Sequence, residues 1–558
     1  MTMMDTQLNS WLLFAHTQKH HGEVEIVSRF ANGAVARHTY DRYARRTQQL
    51  MHALDSLGLP AGATVATLAW NHHRHLEAYF GIPCTGRLLH TLNLRLSPVE
   101  LGYIIDDAGD LCILADPDML PLLEQVRDAG GMGSVRHVVV LDQTVPPTSL
   151  PDVIGYETLL AAQPDSYEPR DIAETTPLGL CYTSGTTGRP KGVVYTHRST
   201  FLHSLAVTSA AGMSIGPSDC TLPLVPMFHA MAWGMPQAAL AVGAKQVFAA
   251  GPLDPAAVAK LIDDEAVTVA AGVPTIWLGM VDALAALPRR PELLRHLVCG
   301  GAQPPRALIE RYLRDFDLPV IQAWGMTETS PIASLAWPRH AHRGLPESEV
   351  IDLARSQAGL PVPGIDISVR IDDGVEAPAD GETMGDLYVR GPWVADSYVK
   401  NEEPDKFRGG WFRTGDVAVA SPHGYFVIAD RSKDLIKSGG EWISSVDMEA
   451  HIMAMPTVLE AAVIAIPDPR WQERPLAAVV PQPGATVTLE TVHAHLESLG
   501  WAHWQLPDRV EVIDQVPRTS VGKFDKKVLR VRFGQPPAPA PAEDGAADAS
   551  EVPAATRE

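Results

Sequence analysis

Residues 182–192 read Tyr-Thr-Ser-Gly-Thr-Thr-Gly-Arg-Pro-Lys-Gly and follow directly on the apolar run Leu178-Gly179-Leu180-Cys181. A short buried strand ending in glycines and hydroxyls narrows the choice of fold, because α/β sheets bring their ligand loops out at strand ends. Gly185 and Gly188 allow positive φ and close backbone approach, so main-chain N–H groups can converge on anionic oxygens. Thr183, Ser184, Thr186 and Thr187 add hydroxyl donors, and Lys191 adds a point charge. The run is not a Walker loop, since Pro190 stands where the second glycine belongs and Lys191 is followed by Gly192 rather than a hydroxyl. It is expected to wrap a polyphosphate, ATP in the first instance.

The stretch from about residue 60 keeps to the same fold class. Apolar runs at 65–70, 88–92, 112–115 and 137–141 alternate with helical patterns, which is the rhythm of α/β layers. Ser97-Pro98-Val99-Glu100 combines an N-cap, a first-turn proline and a reaching glutamate, so a helix is expected to run to about Ala108. Between 365 and 431 the period changes to two, with runs at 367–371, 386–389 and 425–429, and a small antiparallel β subdomain is expected. Helices over 445–455 and 489–499 then flank strands at 461–466 and 476–480. The expected organisation is a large N-terminal domain over 1–430, a small α+β C-terminal domain over 431–534, and a disordered Pro/Ala-rich acidic tail over 535–558.

With 558 residues the chain exceeds what one hydrophobic core supports. Its formal net charge of −21, with no basic stripe, argues against a nucleic-acid partner. Five cysteines (84, 112, 181, 220 and 299) sit singly in apolar settings, as expected of reduced thiols without a catalytic role. No leader pattern and no apolar window of membrane-spanning length is visible, so a soluble, cytoplasmic protein without an integral membrane segment is expected.

Four further segments follow the loop in order: Gln322-Ala323-Trp324-Gly325-Met326-Thr327-Glu328-Thr329-Ser330, Trp411-Phe412-Arg413-Thr414-Gly415-Asp416, Asp430-Arg431-Ser432-Lys433-Asp434 and Pro517-Arg518-Thr519-Ser520-Val521-Gly522-Lys523. Together with the loop they resemble the adenylate-forming superfamily of acyl-CoA synthetases, luciferase and peptide-synthetase adenylation domains, most nearly its bacterial medium- and long-chain fatty acid CoA ligases. The resemblance spans nearly all of the chain before the tail. It implies an AMP-forming acid:CoA ligase that uses ATP, Mg²⁺ and coenzyme A, has a mobile C-terminal domain, and in this branch is commonly a symmetric homodimer.

The resemblance also implies roles for residues. Glu328 would hold Mg²⁺ with Thr183 nearby, which suits a hard cation that prefers oxygen ligands. Thr327 would contact the α-phosphate. Trp324, where most relatives carry Tyr, would cover the adenine face, with Gly300, Gly301 and Ala302 at the opposite edge and Gln322 and Gly325 alongside. Asp416 would accept from the ribose hydroxyls, and Arg431 would add a ribose and phosphate contact. Lys433 occupies the hinge position. Lys523 would bridge substrate carboxylate and α-phosphate, whereas Lys526 and Lys527 are expected to be solvated surface lysines. Lys437, Ser438, Gly439, Gly440, Glu441 and Trp442 match the segment that forms the CoA channel.

Two segments match the acid pocket: residues 226–234, with His229, Met231, Trp233 and Gly234, and residues 272–275, with Val273 and Pro274. The first lacks the carboxylate that an amino-acid substrate's ammonium would require, which disfavours a peptide-synthetase role. A medium- or long-chain fatty acid is the leading expectation; aryl acids, methylthiopropionate-type acids and an acyl-carrier-protein acceptor stay open. The cluster His72-His73-Arg74-His75 is not read as a metal site, because adjacent histidines on a helix point apart and no acidic or cysteine partner is evident at a suitable spacing.

Overall fold

The computed structural model describes residues 3–183, 189–252, 254–372, 374–431, 434–438, 441–519 and 524–534. Apolar runs that are hydrophobic on both faces become parallel strands covered on both sides, as parallel sheets require. Every residue of Thr64–Leu68, Val269–Gly272 and His296–Gly300 is buried.

These strands belong to two large sheets. One has seven strands in the order Ile154–Gly155, His137–Val140, Asp110–Ala115, Thr64–Leu68, Leu88–Thr91, Pro177–Tyr182 and Gly192–Thr196. The last strand pairs antiparallel with Pro177–Tyr182, so these two strands form a hairpin at the sheet edge. The other has nine strands, with a parallel centre running from Val320–Gly325 through His296–Gly300, Val269–Gly272, Cys220–Pro223 and Lys245–Ala250 to Glu25–Phe30. Ile332–Leu335 folds back antiparallel on Val320–Gly325, and Val35–Thr39 does the same on Glu25–Phe30.

The helix Pro98–Ala108 starts at Ser97 with both capping-box bonds formed and stops at Gly109, which sits at φ +65°. The period-2 region forms a six-stranded antiparallel sheet in which buried and partly exposed residues alternate along Met384–Arg390. Its strand Phe426–Arg431 pairs with Trp411–Ala420 and sets Arg431 opposite Asp416. Beyond it, the long hairpin Val458–Asp468/Gln472–Pro481 and three shorter strands carry the helices Ser445–Met453, Leu489–Ser498 and Lys526–Phe533. The helix expected to reach Met455 ends at Met453, because Pro456 disfavours α-conformation in the residue before it.

All five cysteines are buried and unpaired with one another. Among the described residues no helix is long and apolar enough to cross a membrane. The tail expected to be disordered, 535–558, lies outside the described residues.

Candidate active site

The hydroxyl-rich run begins where Pro177–Tyr182 ends. Ser184, Gly185, Thr186, Thr187 and Gly188 lie outside the described residues, but the base of their hairpin is closed by the Thr183 N–H, which donates to the Lys191 carbonyl at 2.8 Å. Tyr182 anchors the outgoing strand by donating from its hydroxyl to Asp107 Oδ2 at 2.7 Å. The Lys191 ammonium pairs with Glu403 and stands 5.5 Å from the centre of the Tyr398 ring. A Cβ at Gly192 would lie 2.9 Å from Val399 Cγ2, so glycine is what lets segment 398–403 close over the hairpin base.

Thr327 and Glu328 sit on a single 3₁₀ turn at the end of Val320–Gly325. The turn is tight, with the Met326 N–H donating to the Pro331 carbonyl at 3.1 Å, and a Cβ at Gly325 would overlap that same carbonyl. Glu328 is only 5% exposed, and its Oε1 accepts from the Tyr398 hydroxyl at 2.5 Å. Burial, reinforced by the neighbouring carboxylate, pushes the Tyr398 hydroxyl far above the ordinary tyrosine range, so the proton stays on the phenol. Among the described residues no donor reaches Glu328 Oε2. Tyr195, on the incoming hairpin strand, donates to the Thr327 carbonyl at 2.8 Å, so the edge strand of the seven-stranded sheet is tied to the turn that follows Val320–Gly325 in the nine-stranded one.

Asp416 is buried beside the last residues of Val320–Gly325. Its Oδ2 accepts from Trp324 Nε1–H at 3.2 Å and its Oδ1 faces Arg431 Nε at 3.2 Å. The positive φ of Gly415 (+79°) and the bond from the Asp416 N–H to Thr414 Oγ1 at 3.0 Å fix the carboxylate's approach. The Trp324 ring meets Phe426 edge-on at 5.4 Å. Gln322 is buried, and its Oε1 has no hydrogen-bond partner among the described residues. Gly301, at φ +82°, and Ala302 leave the end of His296–Gly300 beside this group.

The segment expected to meet the acid has an unusual backbone. After the half-buried His229, Ala230, Met231, Ala232, Trp233 and Gly234 all have φ between +42° and +71°, a short left-handed turn. Asn71 holds the approach to it by donating to the Pro223 and Val225 carbonyls at 3.1 and 2.9 Å. Thr91 donates to the Phe228 carbonyl at 3.2 Å. Two glycines make room for its side chains: a Cβ on Gly179 would overlap Met231 Cε, and one on Gly300 would come within 2.9 Å of Trp233 Cη2. Val273 and Pro274 lie at the start of the helix Pro274–Ala285.

In the C-terminal part, Lys433, Gly439, Gly440 and Lys523 lie outside the described residues. Ser438 is buried and accepts from Arg474 Nη1 at 3.0 Å. Glu441 is exposed, and Trp442 is 46% exposed with the Lys437 ammonium 5.3 Å from its ring centre. Lys526 corrects the expectation of a solvated lysine, whereas Lys527 is exposed. The Lys526 side chain is only 11% exposed, and its ammonium lies 2.7 Å from Glu449 Oε1 and donates to Ser445 Oγ at 2.5 Å. Ser445 in turn donates to Asp430 Oδ2 from both its N–H (2.7 Å) and its hydroxyl (2.5 Å). The helix that follows residues 520–523 is thereby fastened to the strand that ends at Arg431. Sequence reasoning missed Tyr195, Tyr398 and this network. A lysine directly after the helix-capping Asp525 carried one weak signal, since a first-turn cation opposes the helix dipole unless it is paired elsewhere.

The fold is that of an adenylate-forming enzyme. Over 95% of its length the chain superposes on the anthranilate CoA ligase AuaEII in complex with anthranoyl-AMP (98% of that chain, TM-score 0.83, 24% identity). It also superposes on ATP-bound MatB from Rhodopseudomonas palustris over 95% of its length (99% of that chain, TM-score 0.80, 24% identity). At such identity the likeness is one of fold. The sequence profile of the AMP-binding enzymes matches residues 13–399 and that of the AMP-binding enzyme C-terminal domain matches 447–523, and the chain belongs to this family. It is 46% identical to a long-chain-fatty-acid–CoA ligase of Thermus thermophilus, covering 95% of this chain and 97% of that one. A medium-chain-fatty-acid–CoA ligase of Ectopseudomonas oleovorans is 38% identical (95% and 97% covered). A 3-methylmercaptopropionyl-CoA ligase of Ruegeria lacuscaerulensis is 40% identical (95% and 98% covered).

Proposed function

We propose that this AMP-forming acyl-CoA synthetase activates a medium- or long-chain fatty acid. The acid's carboxylate attacks the α-phosphorus of ATP and expels pyrophosphate; the CoA thiol then attacks the acyl-adenylate and expels AMP. The observation that supports the reading best is the meeting of the edge hairpin of the seven-stranded sheet with the turn after Val320–Gly325 in the nine-stranded sheet. Lys191, Tyr398, Thr327 and Glu328 gather at the base of the hydroxyl-rich hairpin, with Asp416 and Arg431 on the adjoining β sheet.

In this reading the hairpin hydroxyls and Lys191 hold the β- and γ-phosphates, and Thr327 orients the α-phosphate. Asp416 receives the ribose hydroxyls, with Trp324 and Arg431 holding its two oxygens apart for them. Gln322 Oε1, buried and without a partner among the described residues, accepts from the adenine amino group. Glu328 Oε2 and Thr183 are the oxygens that would hold Mg²⁺, whose charge would offset that of the phosphates. His229 stands at the carboxylate and thiol entrance, and Met231, Trp233, Gly234, Val273 and Pro274 line the acid. Lys523 counters charge that develops between carboxylate and α-phosphate. Turning at Lys433 exchanges Lys523 for the segment 437–442, so that 1–430 and 431–534 act as two bodies.

The test is pyrophosphate release with ATP and Mg²⁺ across saturated acids of increasing length, aryl acids and methylthiopropionate, with and without CoA, and product masses recorded. AMP and an acyl-CoA mass, strongest with medium or long chains, are expected. The methylthio acid is included because the relative named for its CoA ester is 40% identical; a maximum there would replace the fatty acid reading. ADP as product would overturn the adenylate chemistry.

A further inference from the structure

A cavity of about 650 Å³ lies away from the site described above and shares no residue with it. It opens where the edge hairpin Glu25–Phe30/Val35–Thr39 meets the helices Tyr40–Ser56, His73–Gly81 and Tyr156–Ala161. In a chain of net charge −21 its lining stands out, with Arg42, Arg46, Arg74, His38 and His73 all facing it. The carboxylates on its wall are Glu157 and Asp142.

The histidine stretch passed over in the sequence meets partners here. The His38 and His73 rings stack at 4.2 Å and 24°, and His38, His73 and Glu77 bring ligand atoms within 4.8 Å of one another. Glu77 lies one helical turn after His73, a spacing the sequence reading overlooked. A cation is nevertheless a poor occupant. The fully buried Glu77 already accepts from Arg46 Nε at 2.6 Å, Arg46 Nη2 at 3.3 Å and the Tyr156 hydroxyl at 2.7 Å. A metal ion would have to displace that guanidinium and sit among two more.

Donors, in contrast, are in surplus. Arg46 is engaged by Glu77 and Glu157, and Arg74 Nε donates to Glu157 at 2.8 Å while its Nη2 stays 4.0 Å from Asp142. Arg42 has no carboxylate partner among the described residues. His38 is only 8% exposed, and its buried Nδ1 has no hydrogen-bond partner among the described residues. Such an unpaired buried group is costly unless a ligand completes it. Burial first, then Arg42 and Arg46, push His38 down to about 4, so at neutral pH the ring is uncharged and can present Nδ1–H as a donor.

We propose that this cavity binds the phosphate group of a small phosphomonoester, with Arg42 and Arg74 donating to its oxygens, the His38 ring turning its buried Nδ1–H toward them, and the organic part lying against Phe30. Two guanidiniums and an imidazole offer more N–H groups than a single carboxylate has oxygens to receive, whereas a phosphate has three. The volume exceeds that of the phosphate alone and falls within the range of small-ligand pockets, roughly 300–1,000 Å³.

Equilibrium dialysis of the whole protein against radiolabelled orthophosphate, at constant ionic strength, tests the proposal. One equivalent per chain is expected to bind at millimolar phosphate, to be displaced by glycerol 3-phosphate, and to resist the same concentration of succinate. Arg42→Ser and His38→Gln should each weaken it by about tenfold, the value of one charge-assisted hydrogen bond. Arg42 is exposed, so its variant should keep wild-type pyrophosphate release, which checks its folding. Lys191→Ala, which removes a phosphate contact of the proposed nucleotide site, should leave phosphate binding in the cavity unchanged. The proposal is overturned if wild type binds none, if Arg42→Ser and His38→Gln bind as wild type does, or if Lys191→Ala abolishes binding, which would place the phosphate in the nucleotide site. Displacement by succinate would turn the ligand class to dicarboxylates. One equivalent of zinc retained through dialysis and lost in His73→Ala would make the cluster a cation site.

Discussion

Replacing Lys526 by Met tests whether the C-terminal body depends on its buried cation. At the observed 2.7 Å from Glu449, the gross attraction in a medium of effective dielectric near 20 is about 6 kcal/mol. Desolvation of two side chains only 11% and 9% exposed cancels much of that. Removal of one partner leaves the other charge buried and unpaired, a loss of about 3–5 kcal/mol. Glu449 keeps its bond from the Val463 N–H at 2.7 Å, which places the expectation at the lower end. Hydrogen-exchange mass spectrometry reads the effect locally. Amides in 445–481 and 524–534 should exchange roughly two to three and a half decades faster, and those in 64–115 should not change.

The sign of the pH dependence follows from Glu449. Burial raises its pKa above the unfolded value, and Lys526 holds the rise back. In the variant the carboxyl titrates higher still. The folded form then takes up a proton that the unfolded chain has already lost, so stability returns as the pH falls from the alkaline side toward the unfolded glutamate value. The double variant Lys526→Met/Glu449→Leu should recover most of the loss. Exchange that accelerates less than about fivefold, roughly 1 kcal/mol, or a deficit that grows as the pH falls would refute the reasoning.

Three further outcomes are expected from the proposed mechanism. Lys523→Ala should lose acyl-adenylate formation by about 2.7–4 kcal/mol, the value of one transition-state donor, yet still convert a supplied acyl-adenylate with CoA; equal loss in both half-reactions would contradict its role. Asp416→Ala should raise the ATP requirement by an amount worth about 1.5–3 kcal/mol, since it removes a charged acceptor, and unchanged ATP dependence by initial rates would rule out a ribose contact. Gly179→Ala should force Met231 to turn aside, because the added Cβ overlaps its Cε, the far end of a flexible side chain. If Met231 lines the acid, the preferred chain should shift by one or two methylenes, each worth about 0.8 kcal/mol, and an unaltered length profile would place Met231 outside the pocket.

The layers of this fold were legible in the sequence because parallel strands buried on both faces leave largely apolar runs, as at 65–70 and 112–115, which fall on Thr64–Leu68 and Asp110–Ala115. The reciprocal cap at Ser97 and Glu100 was equally local and equally legible. Contacts between distant segments were not. Tyr398 reaches Glu328 across 70 positions of sequence, and nothing in its neighbourhood distinguishes it from an ordinary loop tyrosine. Lys526 owes its burial to Ser445, 81 positions earlier, and its own surroundings of Asp525 and Lys527 suggest solvent. His38, His73 and Glu77 come together only because the edge hairpin of one large sheet packs against a helix of the other.

The turn at 230–234 shows why local pattern falls short where function is expected. Four consecutive non-glycine residues, Ala230, Met231, Ala232 and Trp233, occupy the left-handed region, which costs L-residues about 1–2 kcal/mol each. Only Gly234 is suited to it by type. The cost must be offset by contacts, and these come from both large sheets. Asn71, Tyr79 and Thr91 grip the approach from the seven-stranded side, with the Tyr79 hydroxyl on the Met227 carbonyl at 2.5 Å. Gly300 and His203 receive Trp233 and Gly234 on the other. A backbone strained in this way persists only where its surroundings over-determine it, and such positions gather at ligand sites. That the strain falls on the segment matched to the acid pocket is an argument from geometry for the same assignment. It is independent of the motif, because the residue types that form the motif do not call for a left-handed turn.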